Sequence, residues 1–318
     1  MNTLVAEPKD YSEKSLAIYR SLGKVHLAPA SLNLANKEIP WSEITTLVVR
    51  LAYKIDKSWM DKMPKLKVIA TPTTGLNHVD LEEAKKRGIK VISLKGHTSF
   101  LKDIPSTAEE TLALMMALVR NIPWSFDDVK KGNWNRDKWR GHQFIHKTLG
   151  LLGCGRLGKI VAKYGKALGM KIIGTDPNVD ARALTRQGIE KVSMEGLFKE
   201  SDILSVHVSL EPDTQNLVKE KHLKMMKPTA YLINTARGEI IDEKALLKAL
   251  QKKWIAGAAL DVMWNEVGGA HLKNNPLIEY AKTHNNLLIV PHLGGATYEA
   301  MQVTEDFIAD LVKMHFCH

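Results

Sequence analysis

Between residues 148 and 292 the chain repeats one device: a short, continuously apolar run ends abruptly in residues with hydrogen-bonding or ionisable groups. "LGLL" runs into "GCGRLG", "KIIGT" ends at Asp176, and "ILSVHV" ends in Ser209. "YLIN" meets Thr235 and Arg237, "AGAAL" meets Asp261, and "LLIV" meets Pro291 and His292. Strands that do not alternate between apolar and polar residues are buried on both faces, which is the condition of a parallel sheet layered by helices. In such sheets ligands bind beyond the carboxyl ends of the strands, where these polar residues collect. The pattern therefore predicts both an architecture and the edge on which chemistry should be sought.

The first hundred residues carry a second, smaller α/β pattern: "KVHLA", "TTLVVR", "KVIATP" and "KVISL", with "DLEEAKKRG" as an intervening helix closed by Gly88. A chain of 318 residues exceeds what one core usually serves, so two domains are expected. The stretch "STAEETLALMMALVRN" reads as a helix with a capping box formed by Ser106 and Glu109. From Leu112 to Val119 it is apolar nearly all round, so it is expected to be buried on both sides, crossing between the domains and contributing to a homodimer interface. The amphipathic "TYEAMQVTEDFIADLVKM", with Ala300, Val303, Phe307 and Leu311 on one side, is expected to return to the first domain.

Composition narrows the class. With 44% hydrophobic and 25% charged residues and no long apolar run, no membrane segment is expected, and the N-terminus has no basic-then-apolar leader. Two cysteines, Cys154 and Cys317, make no disulfide framework and fit a cytoplasmic location. The closing "HFCH" reads as a chain end, and no metal site is expected. The net charge of +10 is scattered; the basic stretch 130–142, with Trp134 and Trp139, reads as a packed connector, so no nucleic-acid partner is expected. A basic balance suits a small anionic ligand.

The glycine run has the spacing G-x-G-x-x-G at Gly153, Gly155 and Gly158, with Arg156 and Leu157 between the last two. It follows a strand, opens a helix, and precedes Asp176 by about 20 residues, the context of a dinucleotide-binding turn. Glycines let backbone approach a pyrophosphate at a helix N-terminus, and the carboxylate accepts from ribose hydroxyls. That carboxylate would repel a 2'-phosphate and "DPNVD" offers no adjacent arginine, so NAD (NADH) is expected over NADP. Arg237, Glu266 and His292 form the candidate catalytic set: hydride chemistry on a 2-keto acid needs a cation for carboxylate and carbonyl and a proton donor for the developing alkoxide. Arginine's planar fork suits the first task, and a histidine beside an ionised glutamate suits the second.

On "TGLNHVDLEEAKKRGI", "STAEETLALMMALVRNI", "KTLGLLGCGRLGK", "MMKPTAYLINTARGEIIDEKALLKAL", "GAALDVMWNE" and "PHLGGAT", the sequence resembles the NAD-dependent D-2-hydroxyacid dehydrogenases, the group that includes D-3-phosphoglycerate dehydrogenase. The resemblance implies two Rossmann-like or flavodoxin-like doubly wound parallel-sheet domains with a cleft between them. Residues 1–101 plus 293–318 would form a discontinuous substrate-binding domain, and residues 102–292 an NAD-binding Rossmann domain. It implies hydride transfer between NAD and a small anionic 2-hydroxy or 2-keto acid, of which 3-phosphoglycerate is one. Arg237, Glu266 and His292 match the family's catalytic residues. Thr235 joins the cofactor-binding set, and Asp261 matches an aspartate near the nicotinamide carboxamide. Thr74, Gly75 and Leu76 match a loop whose amides hold the substrate carboxylate, and Arg50 matches an arginine that approaches substrate. Val267 follows Glu266 where the family commonly has proline, and Glu110 stands where histidine is frequent. Two alternatives remain open: an NAD(H)-sensing interaction protein resembling the C-terminal-binding corepressors, and a formate dehydrogenase, whose members pair the histidine with glutamine.

Overall fold

The structure, a computed structural model, describes residues 1–30, 32–267 and 269–317; the last histidine of the "HFCH" run lies outside them. The chain divides into two compact units, Met1–Ile104 with Ala296–His318, and Pro105–Gly295. Among the described residues each unit is built on one parallel sheet. No helix among them is long and apolar enough to cross a membrane.

In the smaller unit the strands are β1 (Asn2–Val5), β2 (Lys24–Leu27), β3 (Thr46–Val48), β4 (Val68–Thr71) and β5 (Lys90–Ser93), in the order β2-β1-β3-β4-β5. Successive side chains alternate between two covered faces, as the pleat requires. Leu4, Leu47 and Ile69 enter one core with Ile44 and Met60, while Val5, Val48 and Val68 enter the other. The second core is completed by Ile308 and Val312 of the helix Tyr298–Cys317. β1, absent from the strands expected from sequence, pairs with both β2 and β3. Only the short run ending in Val5 marks it, before the chain turns polar at Glu7.

The larger unit contains β6 (Thr148–Leu152), β7 (Lys171–Thr175), β8 (Glu190–Lys191), β9 (Ile203–Val206), β10 (Tyr231–Asn234), β11 (Gly257–Leu260) and β12 (Leu287–Ile289). Their order is β12-β11-β10-β9-β6-β7-β8, with every pairing parallel. The chain runs outward from β6 to β8 and then returns to β9 on the other side of β6. The order therefore reverses at β6, which opens a crevice at its carboxyl end. The edge strand β8 escaped the sequence reading because its two residues are exposed and charged.

The helix Ser106–Val119 starts differently from the expectation. Pro105 is already in the right-handed helical region and its carbonyl accepts from the Ala108 and Glu109 amides at 2.7 and 3.0 Å. Ser106 thus lies inside the first turn, buried, and the anticipated capping box is not formed. Nor is the helix covered all round in the single chain: Ala108, Leu114, Met115 and Leu118 are buried, but Ala113 is exposed and Leu112 and Met116 are half-buried. Downstream, the basic connector is organised by Asp128, which accepts from Trp139 Nε1 at 2.8 Å and pairs with Lys138 at 3.1 Å.

The helix Arg156–Ala167 approaches the sheet through Gly165, where an added Cβ would stand 2.6 Å from Leu149 Cδ2 and 2.8 Å from Ile172 Cδ1. Two effects oppose each other in Gly165→Ala: alanine favours a helix interior by about 1 kcal/mol, whereas overpacking a filled core costs about 1–3 kcal/mol. Both neighbours are buried on adjacent strands, so overpacking should prevail. Urea unfolding is expected to show the variant less stable; a gain would mean that Leu149 and Ile172 yield.

Candidate functional site

All the strand ends singled out in the larger unit emerge on one edge. Gly153 ends β6 with φ 94°, and a Cβ there would lie 2.8 Å from the His207 carbonyl carbon at the end of β9. Gly158, in the first turn of the following helix, would drive a Cβ to 2.3 Å from the Gly153 carbonyl oxygen. Gly155 differs, since a Cβ there would meet nothing within 4 Å. Two glycines thus serve the packing of the turn, and the third leaves bare backbone at the first turn of the helix Arg156–Ala167, a cradle of the kind an anionic diphosphate needs. Asp176, half-buried at the end of β7, accepts from the Cys154 amide at 2.8 Å and the Asn178 amide at 2.9 Å. Its carboxylate is therefore oriented over the glycine turn. Arg156 opens the helix, its guanidinium basicity lowered by burial, and Leu157 packs against the neighbouring core. The residues fit a dinucleotide at this edge.

Beyond β10 the backbone is clamped by Asn234, whose amide donates to the Arg237 carbonyl at 2.9 Å and whose oxygen accepts from the Ala236 amide at 3.0 Å. Arg237 follows in extended conformation, its Nη1 donating to the Ala236 carbonyl at 2.6 Å. Burial lowers its basicity, while Glu266, Glu239 and Asp261 pull the other way. Glu266 Oε1 is hydrogen-bonded to His292 Nδ1, and its Oε2 accepts from the Met263 amide at 2.8 Å. The histidine ring is left with Nε2 as its outward nitrogen. His292 has φ 55°, a left-handed conformation that costs a non-glycine residue about 1–2 kcal/mol. Its amide donates to the Asp261 carbonyl at 2.8 Å. The Asp261 carboxylate accepts from the next two amides, Leu293 and Gly294. One buried aspartate thus holds three successive residues of the loop after β12.

Two residues unmarked in the sequence dock the helix Ser106–Val119 on this edge. Thr107 Oγ1 donates to the Gly294 carbonyl at 3.0 Å, and Thr111 Oγ1 lies 2.7 Å from Thr235 Oγ1. Their spacing of four was visible, but their partners lie more than a hundred positions away. Asn234, read as the tail of a strand, was equally silent.

In the smaller unit, Thr74, Gly75 and Leu76 follow β4. Among the described residues no acceptor takes their amide hydrogens, while Thr73 Oγ1 donates to the Gly75 carbonyl at 2.8 Å and fixes the loop. Three successive unengaged amides can receive a carboxylate. Arg50, at the end of β3, is already engaged: its Nε donates to Glu305 Oε1 at 2.8 Å, Nη2 pairs with the same oxygen, and Nη1 donates to the Lys9 carbonyl at 3.1 Å.

Comparison with known proteins bears on both units. The family model described as D-isomer specific 2-hydroxyacid dehydrogenase, NAD binding domain, matches residues 112–294, and that family's catalytic-domain model matches residues 6–100. A D-3-phosphoglycerate dehydrogenase of Methanocaldococcus jannaschii is 36% identical over 98% of this chain, which spans only 56% of that protein's length. A glyoxylate reductase of Thermococcus litoralis is 39% identical over 84% of this chain and 79% of its own. The solved D-lactate dehydrogenase of Aquifex aeolicus, complexed with NAD and lactic acid, matches 99% of this chain and 95% of its own with TM-score 0.82 and 28% identity.

Asp261 offers a direct test of the site's electrostatics. Burial raises its carboxyl to about 6 against the opposing pull of the Leu293 and Gly294 amides and His292. In an unfolded chain an aspartate titrates near 3.9, so the folded state retains the proton longer, and this contribution to stability is lost as pH rises from about 4 to above 6. Asp261→Asn lacks the titration. The stability difference, variant minus wild type, should therefore move in the variant's favour across that window in urea titrations. A difference that stays flat with pH would show that the carboxyl is not raised.

Proposed function

Because the chain belongs to the D-isomer specific 2-hydroxyacid dehydrogenase family, we propose that it transfers a hydride reversibly between NAD(H) and a small D-2-hydroxy acid or its 2-keto acid, with His292 exchanging the proton. The observation that carries this reading is the His292–Glu266 hydrogen bond, which stands on the same sheet edge as Arg237 and the glycine turn. The bound dinucleotide supplies or accepts the hydride; Gly153, Gly155, Arg156, Leu157, Gly158, Asp176, Thr235 and Asp261 are the residues proposed to hold it.

The protein's own groups do the rest. Glu266, fixed by the Met263 amide, holds the imidazole by Nδ1, so that Nε2 faces the reactant. In the reducing direction Nε2 gives its proton to the carbonyl oxygen as the hydride reaches carbon 2; oxidation reverses both transfers. Arg237, its carbonyl pinned by Asn234, binds the carboxylate and carbonyl oxygen and stabilises the negative charge developing there. The unengaged amides of Thr74, Gly75 and Leu76 are proposed to receive the substrate carboxylate.

We also propose pairing with a second copy. Ser106–Val119 leaves Ala113 exposed, and the next helix, Ile122–Lys130, carries Ile122, Phe126 and Val129, which are 54%, 62% and 47% exposed at helical spacing. Light scattering at the monomer mass would remove this proposal.

His292→Ala should lower kcat/KM on a 2-keto acid by about 10²–10⁴-fold while NADH fluorescence titration gives a similar Kd. Equal loss of both would assign the histidine to structure. NADH bound without turnover of any 2-keto acid would leave the sensing alternative in place. The glycines separate in the same assay. Gly155→Ala should weaken NADH binding and leave the unfolding midpoint where it was, since its Cβ meets only open space, whereas Gly158→Ala should lower both.

A further inference from the structure

The dehydrogenase reading leaves the side chain of the substrate open, and one carboxylate of the larger unit bears on it. Thr107, Glu110 and Thr111 lie three and four positions apart on the helix Ser106–Val119 and share a face. Thr107 is bonded to the Gly294 carbonyl at 3.0 Å and Thr111 to Thr235 at 2.7 Å, so this face abuts the loops that carry Arg237 and His292. Glu110 sits between the two anchors, half-buried, and among the described residues no donor reaches its carboxylate. Burial raises its carboxyl above the ordinary range, and its charge in turn pushes Asp261 upward. A partly desolvated carboxylate without a partner repels a nearby anion and accepts from a donor.

A second observation comes independently from the smaller unit. A phosphate is best held by an arginine fork with two parallel N–H groups free. At Arg50 that fork is occupied: Nε and Nη2 both bind Glu305 Oε1, and the Lys9 and Asp10 carbonyls accept from Nη1 and Nη2 at 3.1 and 3.4 Å. Glu305 is 1% exposed, and its other oxygen accepts from the Ser12 amide at 2.8 Å. Releasing Arg50 would strand a buried carboxylate, which is strongly unfavourable.

We propose that the substrate is a short 2-oxo acid whose side chain carries neither phosphate nor a second carboxylate, and that Glu110 is the specificity-determining residue that excludes such groups. The proposal rests on the dehydrogenase reading and names its substrate class. It is tested by kcat/KM for glyoxylate, hydroxypyruvate and 3-phosphohydroxypyruvate with NADH, on the full chain and on Glu110→Gln and Glu110→His. The wild type should favour hydroxypyruvate over its phosphorylated form by about tenfold or more. Each variant should raise the phosphorylated-to-unphosphorylated ratio by about tenfold, mainly through KM of the phosphorylated substrate. A merely structural role would lower both substrates together and leave the ratio unmoved. A wild type that prefers the phosphorylated substrate, or a ratio unmoved in whichever variant folds, overturns the proposal while leaving the dehydrogenase intact. Failure on all three acids removes the dehydrogenase reading and this proposal with it.

Discussion

Parallel alignment of the larger sheet is the constraint from which its chemistry follows. Since β6, β7 and β9 to β12 all run the same way, the backbone leaves the sheet repeatedly at one edge, and the residues just beyond each strand are brought together without any of them being near in sequence. Strand order adds a second condition. The β6 end lies beside the β9 end, and Gly153 comes so close to the His207 backbone that a Cβ could not fit between them. Turn and neighbouring strand therefore lock each other, and the bare backbone at Gly155 is held in place by contacts that Gly155 itself does not make.

The same edge is stabilised at its far side by a costly group. Asp261 is 1% exposed, and its desolvation outweighs the pull of the two amides that it accepts from, leaving its carboxyl raised. A neutral residue would avoid that penalty. What the carboxylate supplies is two acceptor oxygens aimed at successive amides, Leu293 and Gly294, while its own carbonyl takes the amide of His292. An apolar side chain offers no such grip: the His292 amide would keep its bond to the residue 261 carbonyl, but the Leu293 and Gly294 amides that fix the loop just beyond its left-handed backbone would lose their acceptors. The desolvation cost at Asp261 is accepted in exchange for a fixed loop around His292, local strain held by the surrounding structure.

The larger parallel sheet was readable from uninterrupted apolar runs and the smaller from short strands alternating with helices, and most of the larger sheet's edge from what followed its strands. The signal failed where it had no apolar run to act on, as at the exposed β8, or where the run was short and terminal, as at β1. The capping box failed because Pro105 begins the helix one residue early, which no count of spacing from Ser106 reveals. Contacts that join distant segments were the least legible. Thr111 meets Thr235 across 124 positions and Arg50 meets Glu305 across 255, and neither residue type nor local spacing points to the partner. Arg50 illustrates the consequence. An arginine after a strand reads as a free cation until the fold shows what it is bonded to.

Charge gives the sharpest contrast between chain and site. The protein as a whole carries +10, which favours the approach of any small anion. Such a field is screened within a Debye length of about 8–10 Å in ordinary salt, so it affects encounter more than selection. At the strand ends the balance is different: Arg237 is opposed by Glu239, Asp261 and Glu266, and Glu110 adds its influence on Asp261. Those groups are partly desolvated, where interactions between charges are screened far less than on the surface. Around the one buried arginine the carboxylates are in surplus, so an anionic group brought to this edge beyond the one that Arg237 can pair would meet charge of its own sign. The basic composition and the acidic edge therefore do not conflict, because they act at different distances, and the nearer one is the less screened.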